Sequence, residues 1–428
     1  CKKNEANNYV STSTLNKNND SGRYSVDKDN FEEKIELTFW SWTSESDTIK
    51  AVYDYAIENF NKNNKYNVTI KPVYSSGEHY KAKLQTQMAA NNAPDIFNLW
   101  AAAKMEPYAK AGRLYPISDL MDDEWKNRYV TGAFNLTTFD GKIYGIPQIQ
   151  VACMVYYNKH MFQQYGIKVP TTWKELLQAI KMLRQKGKYG FALNVKDPWI
   201  GAMYAEYIAD RIDPEAYKKV QKEPNWMLPT YIETGRKIQE LVEVDAFSES
   251  ANNLDYVGAR NLFDQEKAGM YIMGSWDVGY LSTDSPIKKK VGVFKFPTIE
   301  GGKGSADRWL SGVEAVISIA SKCESPEAAA AFLKYMSTDE IAKNKIAEEA
   351  GYVSTVNVKP DPLKVSRLYT EVMELLKDKE AGFAFYDVNL GSIVGDGFNN
   401  AIQAIIVGEE PEKAFQKLDE IAKAEAEK

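Results

Sequence analysis

Between Ile35 and Leu99 the hydrophobic pattern switches period four times, and this restricts the fold more than any other feature of the chain. Ile35-Glu36-Leu37-Thr38-Phe39-Trp40 alternates, as a strand does when its two faces differ. Ile49, Val52, Tyr53, Ala56, Ile57 and Phe60 follow at helical spacing on one face, behind the candidate caps Ser44 to Asp47. Val68 to Val73 alternates again, a helix is predicted from about Tyr80 to Ala90, and Asp95 to Leu99 forms a third strand after the turn Asn91-Asn92-Ala93-Pro94. Strand, helix, strand, helix, strand implies βαβ units and a parallel sheet.

The pattern restarts after Gly145-Ile146-Pro147. Val151 to Tyr157 reads as a strand, and Thr172 with Glu175 forms a capping box that opens a helix. Val291 to Phe296 and Ala315 to Ile319 are later strands. Ser325-Pro326-Glu327 opens another helix with Ser325 as cap, and from Pro362 the chain is mostly helical. At 428 residues the chain is too long for one core and suits two α/β domains.

Several function classes are excluded. The net charge is −6 with acids and bases mixed, so no basic stripe for nucleic acid is present. No apolar run approaches the ~20 residues that span a bilayer. With only His79 and His160, HExxH and related zinc motifs are ruled out. No GxGxxG follows a strand, and there is no GxxxxGKS/T, GxSxG or calcium-loop DxDxDG motif, so no cofactor is expected. The three cysteines do not make a disulfide framework. Cys153, in an apolar run, reads as a buried thiol, with a bridge to Cys323 as the alternative. Cys1 heads a polar segment rich in Asn, Lys, Ser and Asp that cannot bury enough apolar surface to order itself. We read residues 1–32 as a flexible tether and Cys1 as a lipidation site.

An ordered series of short motifs resembles the family 1 extracellular solute-binding proteins, the maltose-binding-protein-like receptors of ABC importers. It begins with Phe39-Trp40-Ser41-Trp42 and the run Leu84 to Phe97, then Gly112-Arg113-Leu114 and Gly141 to Pro147. Tyr156-Tyr157-Asn158-Lys159, Pro170 to Leu176, Gly269 to Trp276 and Ala328 to Glu340 continue it. The resemblance implies a two-lobed periplasmic-binding-protein-like fold of type II, with a hinge and an interlobe ligand cleft. It places crossings near Pro147, around 300–305 and near 352–355. The expected lobes are 33–147 with 305–352, and 148–304 with 353–428. It also implies a non-enzymatic monomer on the outer face of a Gram-positive membrane, with a carbohydrate ligand and ABC permease subunits as partners.

Sugars present apolar C–H faces and a rim of hydroxyls, which suit flat aromatics and charged or amide groups respectively. Trp40 and Trp42 flank the end of the first strand, Trp100 follows the third, Trp276 follows Met270 to Gly274, and Trp309 lies beside an expected crossing. In the resembling family the positions of Trp100 and Trp276 often line the cleft. Polar candidates are Glu78, Asn98, Gln148, Gln150, Asp277, Arg308, Glu314 and the neighbours Tyr386 and Asp387. Trp125, Trp173 and Trp226 read as structural, and Trp199 fits either role.

Several separated Trp residues favour an oligosaccharide, with β-linked xylo-, manno- or gluco-oligosaccharides as the guess. The alternatives are a polyamine, iron or phosphate-ester ligand on the same fold, a two-carboxylate glycoside hydrolase, or an adhesin without a transporter. An iron site is disfavoured because Tyr156 and Tyr157 point to opposite faces of a strand.

Overall fold

In the computed structural model, residues 33–45, 47–75, 77–380 and 382–428 are described, with the Glu78 side chain left aside. The expected tether and Cys1 lie outside the described residues, as does the Glu78 side chain. The strands are β1 (Ile35–Ser41), β2 (Val68–Tyr74), β3 (Ile96–Leu99), β4 (Thr138–Phe139), β5 (Lys142–Ile143), β6 (Ile149–Asn158), β7 (Tyr189–Phe191), β8 (Ala268–Gly274), β9 (Val291–Phe294), β10 (Ser311–Glu314), β11 (Val316–Ile319) and β12 (Val353–Ser354).

The first sheet has the order β11-β3-β1-β2. β1 pairs parallel with both β2 and β3, Ile35 facing Val68 and Phe39 facing Ile96, as the alternating periods require. β11 returns antiparallel against β3. Strand alternation divides the side chains between two layers. Phe39, Ile96 and Ile317 pack under the helices Ile49–Asn63 and Pro326–Thr338, while Phe97, Leu99 and Val316 pack on the other face against Tyr80, Leu84 and Met88.

The second lobe is built on β6, β8, β7 and β9, with β8 buried along its whole length. Its core takes in the helices Trp173–Gln185, Pro198–Ile212 and Gly391–Ile406. The two lobes share β6. Its first residues pair with β10 and β12, and its later ones with β8 and β9. Core membership follows this division: Ile149 and Val151 belong to the first core, while Ala152 onward belong to the second. Trp309 and Leu310 pack in the second core and Ala315 and Ile317 in the first, and a third change falls between Val356 and Leu368.

Trp125, Trp173 and Trp226 are buried in the cores. Cys153 and Cys323 are both buried and free, so the disulfide alternative is not realised. Thr172 caps its helix by accepting from the Glu175 amide, and the Glu175 carboxylate reaches back to the Thr171 amide and hydroxyl and to the Thr172 amide, as the expected capping box requires. Ser325 occupies the N-cap position without a side-chain cap bond, a departure from the expected cap.

Candidate ligand-binding site

A cavity of about 600 Å³ opens between the two lobes. Parallel pairing sends the ends of β1 and β3 to the same sheet edge, and the residues just beyond them are Trp42 and Trp100. Their rings stack with centroids 4.8 Å apart and planes 17° from parallel. Tyr80 meets Trp42 edge-on and donates its hydroxyl to the Asn98 carbonyl at 2.7 Å, bracing this wall from beneath. This is the carboxyl-end placement that open α/β sheets offer to ligands.

The opposite wall comes from the second lobe. Trp276 sits in the short turn Ser275–Asp277 that ends β8. It lies 6.0 Å from Trp199 and 6.3 Å from Phe385, and Trp199 stacks on Tyr256 at 6.3 Å. Trp199 and Tyr256 open two separate helices, Pro198–Ile212 and Tyr256–Asp264. Behind the rings Asp277 is buried and accepts from the Tyr271 hydroxyl at 2.8 Å and from the Tyr256 hydroxyl. Its carboxylate stands 3.5 Å from the Arg260 guanidinium, which lies over the Tyr280 ring. Burial pushes the Asp277 carboxyl upward, against the lowering effect of Arg260 and the two tyrosines.

Charged groups meet at the floor. Glu314 ends β10, opposite Ile149 of β6. Lys104 of the first lobe and Asp387 of the second approach to 3.6 Å, an ion pair across the cleft. Burial and the neighbouring Asp387 push the Glu314 carboxyl up to about 7, with Lys104 pulling the other way.

Of the residues singled out from sequence, Trp42, Trp100, Trp276, Asp277, Glu314 and Asp387 line this cavity. The others lie elsewhere. Trp309 is buried in the second core, and Tyr386 is buried there against Tyr217, with its hydroxyl 3.3 Å from that of Tyr231. Arg308 forms a bidentate pair with Asp210, and Trp40, still within β1, lies under the Lys83 ammonium at 4.0 Å. Asn98, Gln148 and Gln150 donate their side-chain amides to the carbonyls of Val316, Ile146 and Ser354; the first and last bonds join neighbouring strands, Gln148 folds back on its own segment, and none of the three is in the cavity lining.

Sequence reasoning passed over Lys81, Lys104, Tyr256, Arg260 and Phe385, all of which line the cavity, and left Trp199 open. The available signal was an aromatic residue at each of two helix starts. Among the described residues no cluster of His, Cys, Asp and Glu could hold a metal ion.

Residues 42–343 match the family model described as "Bacterial extracellular solute-binding protein". The chain is 25% identical to the "Multiple sugar-binding protein" of Streptococcus mutans over 342 residues, 77% of each chain. A solved structure from work on xylan utilization by the thermophilic bacterium Caldanaerobius polysaccharolyticus superposes with a TM-score of 0.85 at 29% identity, covering 90% of this chain and 99% of that one. A "Chitin oligosaccharide binding protein" gives 0.83 at 25% identity, with coverage of 91% and 98%.

Proposed function

This chain belongs to the bacterial extracellular solute-binding protein family, and we propose that it captures an oligosaccharide in the interlobe cavity and presents it to the permease subunits of an ABC importer. The observation that carries this reading is the pair of aromatic walls, Trp42 with Trp100 on one lobe and Trp199 with Trp276 on the other, facing one space. A volume of about 600 Å³ falls inside the range of about 300–1,000 Å³ typical of small-ligand sites. Covering one sugar face removes on the order of 50 Å² of apolar surface, about 1.3 kcal/mol, so three faces supply ~4 kcal/mol. Micromolar capture takes about 8 kcal/mol. The difference falls to hydrogen bonds with charged groups such as Glu314, Asp387 and Arg260, which are the stronger kind.

Rows of flat rings suit extended β-linked chains, and the similar structures concerned with xylan utilization and chitin oligosaccharides support xylo-, manno- or gluco-oligosaccharides as the first ligands to try. Closure is proposed to rotate the lobes about the segments where core membership changes, within β6, through β10 and after β12, so that a few residues absorb the motion. Ligand touching both walls then favours the closed form by its differential affinity. Membrane attachment through an acylated Cys1 is part of the same proposal, and intact-mass measurement of the cell-derived protein tests it.

Calorimetric titration with defined xylo-, manno- and gluco-oligosaccharides, using spermidine and ferric ion as controls, tests the ligand class. Saturable heat with one sugar series and unchanged sugar afterwards is the expected result. Saturable heat only with spermidine or ferric ion, or cleavage of the sugar, overturns it.

A further inference from the structure

Glu314 is unusual among the carboxyl groups of the cavity. Asp277 is satisfied by Tyr256, Tyr271 and Arg260, and Asp387 has Lys104 and the Asn399 amide. Glu314 lies at the floor where β10 meets β6, and among the described residues its side chain makes no hydrogen bond or ion pair. Glu314 is half-buried and lines the cavity, so its open hydrogen-bonding directions face the space a ligand would fill.

The groups around it belong to four elements. Lys104 comes from the turn Ala102–Lys104 and Asp387 from the turn Tyr386–Asn389. The Cys153 thiol, on β6, is pushed upward by burial, by Glu206 and by Glu314 itself. Glu206, on the helix Pro198–Ile212, is buried, accepts from the Tyr386 amide, and is also pushed well up by burial and by Asp387. Glu314 and Asp387 thus share one lysine beneath the cleft, with Glu206 on the far side of Asp387. Like charges so placed disfavour ionising all of them together.

Resting on the oligosaccharide reading above, we propose that Glu314 is the specificity residue at the floor of the cleft, accepting ligand hydroxyls as a carboxylate, so that capture releases a proton. Hydrogen bonds donated to a carboxylate favour its charged form. In the free protein the group sits at about 7, held there by burial and Asp387. A ligand that supplies donors pulls it down, so a proton leaves and affinity rises with pH. If the bound group is fully ionised at pH 6, linkage gives about tenfold tighter binding at pH 8 than at pH 6.

The test uses the full chain and whichever oligosaccharide of the xylo-, manno- and gluco- series gives saturable heat at pH 8. Titrations at pH 6, 7 and 8, in phosphate and in Tris buffers, read the affinity and the protons exchanged. The expected result is about tenfold tightening across that range with proton release near pH 7, flattened in Glu314→Gln. A flat profile without proton exchange, proton uptake with tighter binding at low pH, or a slope that persists in Glu314→Gln each overturns this inference while leaving oligosaccharide capture intact. If Glu314→Gln does not fold, proton release by the unmodified protein still decides. No saturable heat from any of these sugars at pH 8 refutes the parent reading instead.

Discussion

Trp276 owes its orientation to Gly274, two residues earlier. A methyl group placed on Gly274 would stand 2.2 Å from the Trp276 ring, so only glycine lets the indole fold back over the end of β8. Gly274→Ala is therefore expected to displace one stacking face and weaken sugar binding about tenfold, the worth of ~1.3 kcal/mol; unchanged affinity by calorimetry would show that the ring does not meet ligand. Trp309 is the opposite case, an indole 1% exposed within the second core. Trp309→Ala should cost about 3–5 kcal/mol of stability in denaturant unfolding, as large-to-small core changes do. It should not alter the affinity of the molecules that remain folded. A stable variant with lost binding would return Trp309 to the ligand site. The two residues looked alike in sequence, both beside a strand end or crossing, because position along the chain does not reveal which face of the backbone an indole takes.

At the scale of elements, the first sheet was the most legible part. The switching periods of residues 35–99 reappear as β1, β2 and β3 with the helices between them, and parallel pairing accounts for Trp42 and Trp100 sharing an edge. The second wall was less legible because Trp199, Tyr256 and Phe385 come from separate elements brought together only by the tertiary fold. Strand alternation also could not show that the Gln148 and Gln150 amides are taken up by neighbouring carbonyls. Local caps fared better at Thr172 than at Ser325. Thr172→Ala removes a bond to the Glu175 amide and is expected to lower unfolding free energy by about 1 kcal/mol, read as a shifted urea midpoint. Ser325→Ala, with no such bond to lose, should shift it measurably less.

At the scale of the whole molecule, the two lobes meet backbone to backbone where Gly279 of the second faces Ala350 and Gly351 of the first. A methyl on Gly279 would lie 2.1 Å from the Ala350 carbonyl oxygen, a backbone atom that cannot swing aside. Gly279→Ala should hold the lobes apart, enlarge the radius of gyration of the ligand-bound protein in solution scattering, and reduce affinity by the fraction of molecules that can no longer close. An unchanged radius and affinity would mean that this seam takes no part in capture.

Capture depends on rings from both lobes gripping one ligand, and calorimetry on four proteins addresses that directly: the unmodified chain, Trp100→Ala, Trp276→Ala and the double variant. Each single change is expected to weaken oligosaccharide binding roughly tenfold and the pair roughly a hundredfold, given about 1.3 kcal/mol per covered face. A double variant that binds as tightly as the unmodified protein would contradict that dependence.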